Sequence, residues 1–278
     1  MTKLTDWVGR SSEIECWLDP WRAQALHATL DGTGAVPAQQ SPLPPGWHWA
    51  YFLDTAPSRE LGPDGHPRRG GFMPPVPLPR RMWAGSRIEF LAPITLGESA
   101  RRASRVLRVE EKNGRTGRLC FVTVEHDICG ASGVAIREQQ DIVYREAAPP
   151  GSAPAAAQVA PPDAHWQQEW SFDSPRLFRY SAITFNSHKI HYDREYVTRE
   201  EGYPGLVVHG PLLATLMLEL VRTTLPAQAL KRFEFRAIAP VFEGAPIVAC
   251  GRPDGERIEL WIRGESGALH MRGHAVLG

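Results

Sequence analysis

Two curved antiparallel sheets, each wrapped around a central helix, form the α+β fold that this chain predicts. Three observations point to it. Period-two apolar patterns fill residues 88–143 and return over 233–275, as half-buried strands require. A run of Ala, Pro, Gly and Ser at 147–159 divides these blocks and carries no packing content. Ahead of the second block lies a helical stretch whose apolar residues Leu212, Leu213, Leu216, Met217, Leu218, Leu220 and Val221 cover nearly every face.

A helix apolar all round has to be buried on all sides. A strongly curved antiparallel sheet closes around such a helix, and that arrangement is the hot dog fold. Two copies in one chain make a double hot dog. A short echo supports duplication: Arg87-Ile-Glu-Phe90 with Ala92-Pro93 resembles Arg232-Phe-Glu-Phe235 with Ala239-Pro240. The expected units are 1–146 and 169–278, joined by a linker at 147–168.

Asp19-Pro20 before Trp21, Ala25, Leu26 and Leu30 predicts a short capped helix. Residues 32–45 read as loop, Trp47–Leu53 as a strand or buried aromatic stretch, and Pro57–Pro79 as an ordered irregular loop rich in Pro and Gly. Strands follow at Ile88–Leu91, Arg101–Glu110, Leu119–Ile128 and Ala135–Val143, with a hairpin signal at Asn113-Gly114. In the second half a strand-like segment, Trp170–Phe172, precedes the helix Pro211–Leu225, whose proline suits its first turn. Four strands follow it: Phe233–Ile238, Pro246–Gly251, Arg257–Arg263 and Ala268–Ala275. Pro253-Asp254-Gly255 and Glu265-Ser266-Gly267 mark turns between them.

Across 278 residues, 31 basic and 31 acidic side chains cancel. Nucleic-acid and anionic-membrane partners call for a clustered basic excess, so neither is expected. Cys16, Cys120, Cys129 and Cys250 lie far apart without a CxxC pair, against a zinc site or disulfide framework. The N-terminus has early acids and no apolar h-region. The longest apolar run, Gly205–Leu220, is too short to cross a bilayer. A reducing cytoplasm is the expected location.

The chemistry concentrates between Tyr180 and Pro211. Asn186, His188 and His191 stand in one short stretch, and Gly202-Tyr-Pro-Gly205 follows. His209-Gly210-Pro211 then opens the apolar helix. Acyl-thioester chemistry needs such a pairing of a proton-handling group with fixed donors for a developing oxyanion. A helix start offers unpaired N–H groups and a partial positive charge. Gly210 has no Cβ to block a ligand carbonyl, and the donors there are Gly210, Leu212 and Leu213. The plainer reading is that Gly-Pro only starts a helix. His191 fits a general base or acid, or a hydrogen-bonded structural histidine. His188, His191 and His209 match metal-ligand spacing only loosely, so no metal is expected. His209 fits packing at the helix start, and Asp193 a local cap. Tyr180, Ser181 and Thr184 could supply hydroxyls. No nucleophile elbow surrounds Ser181 or Ser187, which ranks covalent catalysis low.

At these residues the chain resembles the MaoC-like (R)-specific enoyl-thioester hydratases and dehydratases. It resembles most the branch of mitochondrial-type 3-hydroxyacyl-thioester dehydratases and mesaconyl-C4-CoA (3-methylfumaryl-CoA) and itaconyl-CoA hydratases. Tyr180 to Leu216 carries most of the likeness, with Leu78–Phe90 (LPRRMWAGSRIEF) adding to it. The resemblance implies two fused hot dog units, the N-terminal one non-catalytic. The family motif Asp-x-Asn-Pro-(Leu/Ile)-His falls on Asn186-Ser187-His188-Lys189-Ile190-His191. It thereby implies His191 as base, Asn186 in place of an aspartate, and Gly210 at the oxyanion. An amide cannot take a proton from water, so the second acid/base stays open.

The implied reaction interconverts 2-enoyl and 3-hydroxyacyl thioesters, with a branched C5 dicarboxylic acyl-CoA as substrate. Tyr180, Thr184, His188, His209 and Leu212 are expected around the acyl group. Arg80 or Arg81 would meet its free carboxylate, and Arg179 or Arg199 the CoA phosphates. The plainer reading of the Arg80-Arg81 pair is solvent exposure. No cofactor is implied, since CoA is part of the substrate, and the expected state is a monomer or homodimer. Competing readings are a 3-hydroxyacyl-acyl-carrier-protein dehydratase of fatty acid synthesis, a hot dog thioesterase, and a non-catalytic acyl-thioester-binding partner.

Overall fold

The structure is a computed structural model, and it describes residues 3–114, 117–147 and 156–278. Ten strands form one antiparallel sheet. The first unit contributes β1 (Ser11–Trp17), β2 (Arg80–Phe90), β3 (Ser99–Gly114), β4 (Gly117–Gly130) and β5 (Gly133–Arg145). The second contributes β6 (Trp166–Trp170), β7 (Leu230–Ala237), β8 (Ile247–Asp254), β9 (Arg257–Gly264) and β10 (Leu269–Leu277). The sheet order is β1-β3-β4-β5-β2-β7-β10-β9-β8-β6. Read from each outer edge inward, the two halves have the same order, which is the duplication in structural form.

The two sheets are therefore continuous rather than separate. They join where β2 pairs with β7, and the echoed segments themselves make the seam. Ile88 faces Phe233, while Arg87 faces Glu234 and Glu89 faces Arg232. The register is thus symmetric about the Ile88/Phe233 pair. Each unit alone would leave this strand with unpaired backbone groups, and the fusion satisfies both edges.

α4 (Gly210–Thr224) is the helix of the second unit, and every residue from Leu212 to Val221 is buried. It packs against β6, β8, β9 and β10. Its one buried acid, Glu219, accepts from Trp47 Nε1 at 2.9 Å and from Arg222. Leu216 is 0% exposed at the centre of this helix. Leu216→Ala should cost about 2–5 kcal/mol by leaving a cavity the sheet cannot close. The denaturant midpoint in urea measures that loss.

The first unit's helix is shorter. α1 (Pro20–Thr29) is capped by Asp19, whose side chain accepts from Arg22 N–H, and it buries Ala23, Leu26 and Thr29. It packs on a 3-10 turn at Trp47–Ala50 and on α2 (Ser174–Ile183). The aromatic stretch Trp47–Leu53 is thus no strand: Gly46 enters it at φ 84, and Trp47, Tyr51 and Phe52 are buried. The strands are longer than period-two patterning suggests, because β2 already begins at Arg80. The Asn113-Gly114 hairpin is present in its flanks, with Gly114 opposite Gly117, while Arg115 and Thr116 lie outside the described residues.

Two short helices are absent from the expected elements, although α2 buries a face of Leu177, Tyr180, Ser181 and Ile183. α2 is also marked by its cap, Asp173, and by Pro175 in its first turn. α3 (Arg194–Arg199) starts at Asp193, whose carboxylate accepts from Tyr196 N–H at 2.9 Å. The linker assignment also shortens. Residues 148–155 lie outside the described residues, but Ala160 N–H donates to Gly267 O and Leu269 N–H to Gln158 O. The chain is docked on the second unit from about residue 158, and β6 closes that unit's edge by pairing with β8. All four cysteines are free. No helix among the described residues is long and apolar enough to cross a membrane.

Candidate active site

A cavity of about 910 Å³ opens between the start of α4, the segment after α2, strand β2 and the loop 54–79 of the first unit. Its wall includes Asn186, His188, His191 and Gly210 from the second unit and Arg80, Arg81 and Trp83 from the first. The proton-handling segment and the helix start therefore face one space.

His191 sits in a 3-10 turn, Lys189–His191, and is 6% exposed. Its Nδ1–H donates to Val207 O at 2.7 Å. That bond selects the tautomer with a lone pair on Nε2. Burial holds its pKa down at about 4, so the ring is neutral at pH 7. The positive end of α4 acts in the same direction. On one face His191 stacks against His209, with centroids 3.7 Å apart and planes 18° apart. His188 meets it edge-on at 5.5 Å. Burial and the neighbouring His66 push the His188 pKa down to about 2.

Asn186 follows Phe185, a non-glycine at φ 51. The tight exit from α2 is closed by Asn186 N–H donating to Ser181 O at 2.8 Å. Asn186 Oδ1 accepts from His188 N–H at 3.0 Å. Only the oxygen end of an amide can accept, so the NH₂ end is the one left for a ligand.

At the helix start, Leu213 N–H already donates to His209 O at 3.1 Å. The donor set is therefore Gly210 and Leu212, one fewer than the sequence suggests. Leu212 is 0% exposed and its side chain does not line the cavity; Leu213 and Pro211 do. A residue's side chain and its N–H point in different directions at a helix end, which spacing alone does not reveal. A Cβ built on Gly210 meets only Trp83 O, at 3.9 Å. Gly210→Ala should thus fold normally, with an unchanged or slightly raised melting temperature. It should lose about tenfold or more in turnover, because the methyl stands where a carbonyl would approach its donor.

His209 is 0% exposed and also absent from the cavity wall. Its Nε2 lies 2.8 Å from Ser181 Oγ, and its ring packs between His191 and Tyr180. It backs the His191 ring from behind. Tyr180 and Thr184 line the cavity, but Thr184 Oγ1–H is committed to Tyr180 O at 2.7 Å. Arg179 and Arg199 do not line it, and Arg199 pairs with Glu195 at 2.5 Å. The exposed Arg68 and Arg145 line the cavity instead.

The adjacent arginines differ. Arg80 forms an ion pair with Glu201 and donates to Glu200 O at 2.7 Å. Arg81 lines the cavity half-buried, with no acidic partner among the described residues. Burial lowers the pKa of both His66 and His188, and the Arg81 charge adds to that effect.

Sequence reasoning missed two parts of this wall. One is Asp64 and His66, carried on the Pro- and Gly-rich loop. The polar atoms of Asp64, His66 and His188 lie within 4.8 Å of one another. The other is a buried polar row in the first unit. Ser104, His126 and Glu138 face one another across β3, β4 and β5. Glu138 accepts from Ser86 Oγ at 2.7 Å and Trp49 Nε1 at 3.1 Å, and pairs with His48 Nε2 at 3.1 Å. Arg102 stands nearby with its Nε unpartnered. Alternation in these strands signals an inward face, yet nothing local marks these polar residues as sharing a cavity.

Residues 46–243 match the family described as hydroxyacyl-thioester dehydratase type 2. A mesaconyl-C(4)-CoA hydratase from Chloroflexus aurantiacus is 46% identical over 272 residues, spanning 98% of this chain and 97% of that protein. The mitochondrial hydroxyacyl-thioester dehydratase type 2 of Schizosaccharomyces pombe is 31% identical, over 85% of this chain and 87% of its own. Among solved structures, a MaoC-like dehydratase from Phytophthora capsici superposes with a TM-score of 0.74 at 10% identity, covering 100% of this chain and 98% of that one. A Mycobacterium tuberculosis protein described as having a double hotdog fold superposes with a TM-score of 0.61 at 12% identity, over 98% of this chain and 96% of its own. At such identities the likeness speaks for the fold, and the fold is a double hot dog.

Proposed function

This chain belongs to the hydroxyacyl-thioester dehydratase type 2 family, and from that premise we propose that it is a hydro-lyase interconverting 2-enoyl and 3-hydroxyacyl thioesters. The substrate class is a branched C5 dicarboxylic acyl-CoA, with mesaconyl-C4-CoA first. One observation carries the reading: a neutral His191, its Nδ1–H tied to Val207 O, shares a cavity with the open start of α4.

The thioester carbonyl accepts from the N–H groups of Gly210 and Leu212. Water is held by the Asn186 NH₂ and gives a proton to His191 Nε2 as its oxygen bonds to the β-carbon. The π pair moves toward the carbonyl, giving an enolate that the helix start stabilises. A donor of this kind contributes about 3 kcal/mol. The imidazolium then returns its proton to the α-carbon. The reverse sequence is dehydration. CoA enters with the substrate and no further cofactor is required.

In mesaconyl-C4-CoA the free carboxylate is on the β-carbon itself, so its cation has to stand beside the histidines. Arg81 meets that requirement, whereas Arg80 is spent on Glu201. Arg68 and Arg145 suit the CoA phosphates at the mouth. A long fatty acyl tail fits less well. It would lie against Arg102, His126 and Glu138 on the first unit's wall, where apolar contact leaves polar groups without water. Both halves of the site come from one chain, so a monomer suffices.

Loss of enoyl-thioester absorbance on mixing the protein with mesaconyl-C4-CoA and crotonyl-CoA, and a mass gain of one water on itaconyl-CoA, test the reading. Hydration of the dicarboxylic esters is expected. Release of free CoA thiol without hydration would make the protein a thioesterase instead.

A further inference from the structure

We propose that His66, aligned by Asp64, is a second catalytic histidine, supplied to the site by the first unit. The inference rests on the hydratase reading, because it assigns a role within that reaction.

The loop that carries His66 is built onto the segment that carries His191. Lys189 N–H donates to Asp64 O at 2.9 Å, and Ser187 Oγ–H donates to Gly65 O at 2.5 Å. Gly65 is at φ +91, and a Cβ there would lie 1.9 Å from Ser187 O. Only glycine allows so close an approach. A bridge between Leu61 and Pro67 closes the loop's base. The docking brings the His66 and His188 rings to 4.1 Å, and His188 in turn lies 5.5 Å from His191. All three imidazoles line the cavity.

Asp64 holds His66 twice. One carboxylate oxygen accepts from His66 N–H at 3.1 Å, and the other lies 3.3 Å from its Nδ1. A carboxylate at Nδ1 selects the tautomer whose Nε2 carries a lone pair. His66 thereby repeats the arrangement of His191, with a carboxylate in place of the Val207 carbonyl. Its side chain is 21% exposed, toward the cavity. Burial and Arg81 lower its pKa, so it too is a neutral acceptor at pH 7.

Water attacking a β-carbon is most nucleophilic when both of its hydrogens are accepted and a lone pair points at the carbon. His191 Nε2 takes one hydrogen as a proton. Asn186 cannot accept the other with its NH₂ end, and its Oδ1 is committed to His188 N–H. His66 Nε2 accepts the other, as a hydrogen bond, and leaves that hydrogen on the product hydroxyl. The proton on His191 passes to the α-carbon, so the water is added whole and no group is left changed.

The test is His66→Ala in the full chain, assayed with crotonyl-CoA and mesaconyl-C4-CoA. A hydrogen-bond acceptor on the attacking water contributes on the order of tenfold. kcat should fall by that factor with KM little changed, and added imidazole should recover part of the loss, since the vacated site opens on the cavity. Asp64→Asn should lower kcat less, without imidazole rescue. A His66→Ala enzyme with near-wild-type kcat overturns the proposal, and so does a loss confined to KM. Stoichiometric zinc in the purified protein that disappears in His66→Ala also overturns it, because Asp64, His66 and His188 would then be metal ligands. A wild-type protein that hydrates neither ester fails the hydratase reading itself, before any variant is compared.

Discussion

His191→Ala should lose about 100- to 10,000-fold in kcat while binding of the CoA ester stays nearly intact. The loss follows from geometry. His191 Nδ1–H is fixed on Val207 O, so its Nε2 is a base in the correct tautomer without rearrangement. Its stacking on His209 sets the plane of the ring. In the proposed mechanism no substrate anchor depends on it, since the carbonyl would be held at the helix start and the carboxylate at Arg81. Steady-state hydration rates, with calorimetric binding of the hydrated product, separate kcat from affinity. The same group fixes the acid limb of the wild-type profile. As the pH falls through about 4 the imidazole gains a proton and can no longer take one from water, so the rate drops. Above that pH His191 is already free and contributes no further change in rate. A variant that keeps near-wild-type hydration would remove His191 from the reaction.

Arg81→Gln should change which substrate is used rather than whether the reaction runs. A desolvated pair between a guanidinium and a carboxylate loses about 2–5 kcal/mol when one partner is truncated. That corresponds to a fall of about 30-fold to several thousandfold in kcat/KM for mesaconyl-C4-CoA. Crotonyl-CoA has no β-carboxylate, and its kcat/KM should move only a few-fold. Arg80→Gln is the control, because Arg80 already neutralises Glu201. It should change both substrates alike. Equal losses on both esters from Arg81→Gln would show that Arg81 only shapes the cavity. Retention of full activity on mesaconyl-C4-CoA would show that the carboxylate binds elsewhere.

Much of the fold is legible in local runs. The all-round apolar stretch around Leu216 can be stable only when enclosed, and α4 is enclosed over Leu212–Val221. Asp19-Pro20 caps and starts α1 as those residue types require. The echo of Arg87–Phe90 in Arg232–Phe235 marks the duplication. That the two copies pair with each other is invisible until the strands are placed side by side. α3 escapes because it is six residues long and buries only Val197, while the ten-residue α2 carries a stripe of Leu177, Tyr180 and Ile183 that is short enough to be overlooked.

The site divides along the same line. His191, Asn186 and Gly210 share one contiguous stretch, and short-range chemistry draws attention to them without any coordinates. Asp64 and His66 lie more than a hundred residues away in a loop with no periodicity, and nothing local says which wall that loop will join. Likewise, Arg80 and Arg81 are equal in the chain and become different only when Glu201 neutralises one of them. Proton affinity, tautomer and available charge depend on burial and on partners brought from afar. Residue order therefore names the chemistry this protein carries, and packing decides which groups perform it.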